Sequence, residues 1–102
     1  MAQKSITFNP QIINGKQRYV CEETVTADYA LHIERSGSGK LNFFVRSTAE
    51  GKYCPSDVSS PLQNFAKEVF DYDFTHLVYP KYIRIESDTE VTSATIVTAE
   101  SV

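Results

Sequence analysis

The sequence predicts an all-β fold, an antiparallel β-sandwich of about seven or eight short strands in a single domain of residues 1–102. Three observations predict it. Apolar and polar residues alternate in several short runs, and this period of two places each set on one face of a strand. Glycine, proline and asparagine punctuate the runs as turn residues. The chain has 102 residues, 41% of them hydrophobic and 23% charged, which suits one domain with one core.

The clearest pattern is a pair of alternating segments, Tyr29–Ile33 and Leu41–Val45. Apolar residues occupy every second position in both. Between them, Gly37 and Gly39 offer the positive-φ positions that a tight reversal uses. We therefore expect a β-hairpin with one face in the core.

The N-terminal part contains two more strands. Ser5–Phe8 alternates and ends before Pro10, which predicts a short first strand. The Asn14-Gly15 pair favours a type I′ turn. The following Gln17–Val25 is rich in tyrosine, valine and threonine, and it is typical of a strand.

A helix pattern and a strand pattern meet after the loop Ser56–Gln63. Apolar residues spaced i, i+3, i+4 and i+7 follow Ser60 as an N-cap and Pro61 at the first helical position, which predicts a short helix near residues 61–69. The alternation across Phe70–Phe74 instead predicts a strand. Both alternatives stay open here, including a helical turn or two followed by a strand.

The C-terminal third predicts two closing strands. Tyr82–Glu86 places Ile83 and Ile85 inward, Ser87–Glu90 reverses the chain, and Val91–Ala99 is dense in β-branched residues.

Composition excludes several classes of protein. The net charge is −3 with scattered lysines and arginines, whereas nucleic-acid binding needs a basic patch. No apolar run approaches the length that crosses a bilayer, and no basic start precedes an apolar stretch, so we expect neither a membrane span nor a signal peptide. We expect Cys21 and Cys54 to be free thiols; a disulfide between them is the alternative.

No motif for catalysis, a cofactor or a metal stands out. His32, His76 and the two cysteines lack the spacing of a zinc site, and His32 lies on the polar face of its strand. The acidic residues around Asp71 and Asp73 lack the glycine-containing loop of a calcium site. We therefore expect no enzyme activity, no cofactor and no metal.

Outward-facing aromatic residues are the more informative feature. If the alternate residues of Leu41–Val45 face the core, then Phe44 faces away from it, and Tyr82 does so on its own strand. We predict an interaction surface from Phe44, Tyr82 and the N-terminal arm with Ile6 and Phe8. The loop Ser56–Gln63 is a further predicted contact element.

A family resemblance supports the fold. Ala27–Ile33, the Gly-Ser-Gly turn and Leu41–Ser47 resemble the middle of a jelly-roll carbohydrate-binding module, and Asn64–Val69 and Tyr82–Glu86 are similar to its closing strands. The resemblance covers about two-thirds of the chain and implies a jelly-roll β-sandwich. Small accessory proteins of bacteriophage capsids and tails use such folds too.

Two functions follow as expectations. The first is a non-enzymatic subunit that binds a larger protein assembly, namely a capsid decoration or tail protein made in the host cytoplasm and resident in the virion. The alternative is a polysaccharide-binding module of a secreted enzyme, although the chain has no tryptophan for a sugar platform. The lack of a leader and linker favours the first.

Overall fold

A computed structural model describes residues 2–55 and 68–98 as a sandwich of two antiparallel sheets. The four-stranded sheet has the order β1-β9-β4-β7, and the five-stranded sheet has the order β2-β3-β8-β5-β6. The strands are β1 Ala2–Ser5, β2 Asn9–Ile13, β3 Lys16–Val25, β4 Tyr29–Arg35, β5 Leu41–Arg46, β6 Cys54–Pro55, β7 Val69–Phe74, β8 Lys81–Ser87 and β9 Val91–Thr98.

The predicted fold class is confirmed. The described residues form nine strands rather than seven or eight, because β1 and β2 are separate strands and the two-residue β6 pairs with β5. The arrangement of two antiparallel sheets is consistent with a jelly-roll-like sandwich.

The inner faces of the two sheets form one core. Inward residues alternate with outward ones along β4, β5 and β8, as predicted. Burial of these side chains is the main favourable term in folding, at roughly 25 cal/mol per Å² of apolar surface. The fully buried apolar side chains are Leu31, Ile33, Leu41, Ile83 and Ile85.

The predicted hairpin between Tyr29–Ile33 and Leu41–Val45 is wrong, although both segments are strands. β4 lies in the four-stranded sheet and β5 in the five-stranded sheet, so the connection crosses between the sheets. Gly37 and Gly39 do not have positive φ. A Cβ on Gly39 would come within 3.1 Å of Cγ2 of Thr89, so this glycine permits the close approach of two connections.

The side chain of Arg35 is buried beside the connection between β4 and β5. It is only 4% exposed, and its Nη1 donates to the carbonyl oxygen of Gly39 at 3.0 Å and to Oγ of Ser87 at 3.4 Å. The connection from β8 to β9 crosses between the sheets at the same end, and Oγ1 of Thr89 donates to the carbonyl oxygen of Gly37 at 2.8 Å. These hydrogen bonds join the two crossings.

The predicted first strand, Ser5–Phe8, has the wrong bounds. β1 ends at Ser5 in the four-stranded sheet and β2 begins at Asn9 in the five-stranded sheet, so residues 6–8 cross from one to the other. The Ile6 N–H donates to the carbonyl oxygen of Ala94 at 3.0 Å. Alternation alone did not reveal the crossing, because inward and outward residues also alternate through it.

The predicted Asn14-Gly15 turn is confirmed. Both residues have positive φ, 52° and 78°, as a type I′ turn requires. The turn joins β2 to β3 with Ile13 opposite Lys16.

The strand alternative is confirmed for the segment from Val69 onward, which forms β7. Phe70 and Phe74 are buried, and the half-buried Tyr72 packs between them on the core. Residues 61–67 of the predicted helix, and the loop Ser56–Gln63, lie outside the described residues.

The cysteines are free thiols, as predicted. Cys54 is exposed on β6, and Cys21 is buried on β3. Burial raises the pKa of the Cys21 thiol to about 12, with a further contribution from the nearby Glu23 carboxylate. Cys21 is therefore a protonated core residue at neutral pH.

Candidate functional site

The structure separates the four predicted surface residues into two pairs. Phe44 on β5 and Tyr82 on β8 lie on the outer face of the five-stranded sheet, which confirms their predicted register. Ile6 is 7% exposed and Phe8 packs against the core. Because the crossing between the sheets turns Ile6 inward, it adds no exposed side chain to that surface.

Arg46 organises the aromatic residues around it. It lies directly opposite Tyr82 across the β5–β8 pair, and its guanidinium carbon is 5.7 Å from the Tyr82 ring centroid. The same carbon is 4.3 Å from the ring centroid of Tyr53, which precedes β6. Such contacts contribute about 0.5–1 kcal/mol each at exposed sites. We name Phe44, Arg46, Tyr53 and Tyr82 the aromatic–arginine patch.

A backbone contact fixes the patch arginine. Nη1 of Arg46 donates to the carbonyl oxygen of Gly51 at 2.7 Å, which holds the connection between β5 and β6 against the sheet. Because this hydrogen bond holds the connection in place, the ring of Tyr53 lies close to the Arg46 guanidinium. Contacts of this kind lower the side-chain entropy that Arg46, Tyr53 and Tyr82 would lose on binding.

Arg84 continues the surface beside Phe44, which it faces across the β5–β8 pair. Its Nε donates to Oε2 of Glu86 at 2.9 Å, and its Nη1 donates to the Glu22 carboxylate. Burial acts to lower the pKa of Arg84, but these two carboxylates outweigh it and raise the pKa. The positive charge is therefore compensated within the protein.

A hollow of about 380 Å³ adjoins the patch, lined by Lys4, Glu22, Glu23 and Thr24 together with patch residues. Burial raises the pKa of Tyr53 at its rim, and the Glu22 carboxylate raises it further. The phenol is thus neutral and able to donate a hydrogen bond at physiological pH.

Sequence reasoning missed Arg46, Tyr53 and Arg84 as members of this surface. Arg46 and Arg84 had a usable signal, since each lies two residues after Phe44 or Tyr82 and therefore on the same outward face of its strand. Tyr53 had none, because its position depends on the β5–β6 pairing and on the contact from Arg46 to Gly51.

Within 2–55 and 68–98, no cluster of three or more histidines, cysteines or carboxylates could hold a metal ion. Nor do these two segments contain a helix long and apolar enough to cross a membrane. The outer face of the five-stranded sheet offers aromatic rings, the paired charge of Arg84 and hydrogen-bond donors, which suit binding.

His32 lies on the outer face of the four-stranded sheet and makes the stability of the fold depend on pH. Its Nε2 lies 2.9 Å from Glu34 and its Nδ1 lies 2.8 Å from Asp71, and these carboxylates raise its pKa above the ordinary 6.5. The imidazolium thus stabilises the β4–β7 pair fully below pH 6.5, and this contribution is lost as pH rises through the raised value.

We expect the wild-type chain to lose more stability than His32→Gln between pH 6 and pH 8. Urea unfolding of both proteins across this range measures the difference. Because the imidazole is partly exposed, the effect is small. Parallel pH profiles for the two proteins would show that the ion pairs do not stabilise the fold.

No protein-family model matches the chain, and no curated protein matches it.

Proposed function

We propose that this protein is a non-enzymatic subunit of a larger protein assembly, a virion accessory protein of the capsid-decoration or tail type, that docks through the aromatic–arginine patch. The observation that carries the proposal is the stacking of Arg46 between Tyr53 and Tyr82 on an outer sheet face, beside Phe44. Aromatic residues and arginine are enriched at protein interfaces and dominate binding energy there.

Arg84 and Arg46 place different requirements on a partner. Arg84 is paired with Glu22 and Glu86, so a partner that covers Arg84 would not bury its positive charge without a counter-charge. Arg46 donates to a backbone carbonyl and contacts two rings, whereas its buried Nε has no hydrogen-bond partner among the described residues. A partner that covers Arg46 therefore needs a hydrogen-bond acceptor or a carboxylate near this guanidinium.

The second candidate function is binding of a polysaccharide, as in a module of a secreted enzyme. The hollow beside Tyr53 and Tyr82 favours it, because tyrosine rings next to polar side chains are what a sugar face and its hydroxyl groups contact. However, the Arg46 guanidinium lies over both rings. It occupies ring surface that a sugar would need, so the assembly role is preferred.

Replacing Phe44 by serine tests the proposed docking. We expect Phe44→Ser to lower the fraction of the protein that sediments with its assembly at least tenfold, because an interface aromatic residue contributes about 2 kcal/mol or more. Thermal unfolding should stay nearly unchanged, since the ring lies on the outer face. The measurement compares sedimentation of wild type and variant produced in the source cells.

Phe43→Ser is the matched control, one residue away and only 2% exposed in the core. It should destabilise the fold by about 3–5 kcal/mol. Normal sedimentation of a folded Phe44→Ser protein would contradict docking through this patch. Retention of the wild type, but not of Tyr53→Ala, on a polysaccharide column would favour the sugar-binding alternative.

A further inference from the structure

The outer edge of β3 is only half covered. β2 pairs with it from Lys16 to Val20, whereas β8 pairs with its other edge from Tyr19 to Val25. Among the described strands, none pairs with Cys21–Val25 on the β2 side. We name this open stretch the β3 notch.

The crossing between the sheets explains the notch. The residues that precede β2 would continue along β3 if the chain ran straight, but the chain leaves at residues 6–8, and β1 joins the four-stranded sheet instead. The Ile6 N–H is donated to Ala94 in that sheet. Within residues 2–55 and 68–98, no strand fills this position of the five-stranded sheet.

The pairing register shows which backbone groups face the vacancy. In a two-residue hairpin, the residues that flank the turn, here Ile13 and Lys16, form a hydrogen-bonded pair, and such pairs recur at every second residue. Val20 is therefore the last residue of β3 bonded to β2. The N–H and C=O groups of Glu22 and Thr24 point the same way, and both residues are exposed.

Three concave surfaces line the notch from end to end. A hollow of about 540 Å³ includes Cys21 and Glu22, the hollow of about 380 Å³ includes Glu22 and Thr24, and one of about 210 Å³ includes Thr24 and Val25. Glu23 lines all three. The open edge thus runs beside three neighbouring hollows that share Glu23, and we call them together the groove.

We propose that the β3 notch binds an extended segment of a partner protein, which adds a strand beside Glu22–Val25. Main-chain hydrogen bonds to Glu22 and Thr24 would supply affinity, as they do wherever a peptide extends a sheet edge. The inference rests on the proposed function, because it requires a protein partner. The groove meets the aromatic–arginine patch at Tyr82, which lies directly opposite Thr24.

Side chains beside the notch define the chemistry of that segment. The residue opposite Glu22 would lie on the outer face next to its carboxylate, which is paired with Arg84 but 48% exposed. Because Arg84 also pairs with Glu86, this group of three keeps a net negative charge, so lysine or arginine fits there. The next residue points inward towards Glu23, whose carboxylate holds Nζ of Lys4 at 2.6 Å, and must be small. The residue opposite Thr24 lies in the row that contains Tyr82, where an apolar side chain fits.

Amide hydrogen exchange of the free protein tests the vacancy itself. We expect the amides of Glu22 and Thr24 to exchange rapidly. Those of Cys21 and Glu23, which bond to β8, should be protected, and so should that of Val20, which bonds to β2. Protection of Glu22 and Thr24 in the dilute free protein would overturn the proposal, since the edge would already be covered. If protection arises only at high protein concentration, the notch binds a second copy of this chain, and the proposal of a partner segment would be wrong.

Addition of a peptide tests whether the β3 notch binds an extended segment. The probe is a blocked heptapeptide of alternating threonine and valine with a central arginine, added at millimolar concentration, and a peptide with central glutamate is its control. We expect the arginine peptide to slow exchange at Glu22 and Thr24 specifically, with a two- to fivefold preference over the glutamate peptide. Absence of this protection would overturn the proposal.

Thr24→Pro and Thr24→Val form the matched pair of variants. Proline removes only an N–H that faces the notch, so we expect both variants to unfold alike, and only Thr24→Val to bind the arginine peptide. Glu22→Gln should reduce the preference for that peptide. Equal binding by a folded Thr24→Pro would overturn strand addition. If these tests fail, the proposed docking through the aromatic–arginine patch still stands. If Phe44→Ser loses docking but binds the arginine peptide normally, the proposed docking is supported independently of the β3 notch.

Discussion

Replacing Phe74 by alanine is expected to lower the free energy of unfolding by about 3–5 kcal/mol. The ring is 5% exposed and lies at the centre of an aromatic cluster. Its centroid is 4.8 Å from that of Tyr29 and 4.9 Å from those of Phe43 and Tyr72. The cluster joins β4 and β7 of one sheet to β5 of the other, so the truncation leaves a cavity between the sheets. Urea denaturation followed by circular dichroism measures the loss.

Tyr82→Ala is the control for this prediction, because it removes an aromatic ring of similar size from the outer face. We expect it to cost about 1 kcal/mol or less, mainly through the lost contact with Arg46. Equal losses for Phe74→Ala and Tyr82→Ala would contradict the assignment of inner and outer faces.

The second large effect is expected for Arg35→Met, at about 1.5–3 kcal/mol of lost stability. Methionine keeps most of the apolar stem but provides no donor for the carbonyl oxygen of Gly39 or for Oγ of Ser87, both of which receive hydrogen bonds from the guanidinium. The Gly39 carbonyl oxygen then loses a part-buried, charge-assisted hydrogen bond, whereas Oγ of Ser87 keeps its hydrogen bonds with Thr89. Chemical denaturation of the variant measures the change.

Lys4→Met supplies the comparison for Arg35→Met. Lys4 pairs with Glu23, but its side chain is 65% exposed, and exposed ion pairs contribute about 0–1 kcal/mol. A loss below about 0.5 kcal/mol in Arg35→Met would mean that the two crossings between the sheets do not depend on the buried guanidinium.

The sequence predicts the strands well where one face is buried. Ile83 and Ile85 on β8, and Phe70 and Phe74 on β7, lie on the core side because only a period of two could bury them together. The pairing of strands is harder to predict. The glycines between β4 and β5 suit a hairpin as well as a crossing, and only contacts with Thr89 and Ser87 from a distant connection distinguish the two.

The candidate site likewise has features that the sequence predicts and features that it does not. The outward positions of Phe44 and Tyr82 follow from local alternation, so the sequence predicts them. The stacking of Arg46 on Tyr53 and the vacancy along β3 depend on long-range partners, so the sequence does not reveal them. Ile6 is the instructive exception, since its alternation was clear but the crossing between the sheets decided its burial.

Sedimentation and mass spectrometry of the native protein from its source test the central claim most directly. We predict that it sediments with a large regular particle at many copies per particle, because a docking subunit follows the symmetry of the assembly it covers. Recovery of the protein alone in the light fractions, or its retention on a polysaccharide column, would contradict a role as an assembly subunit.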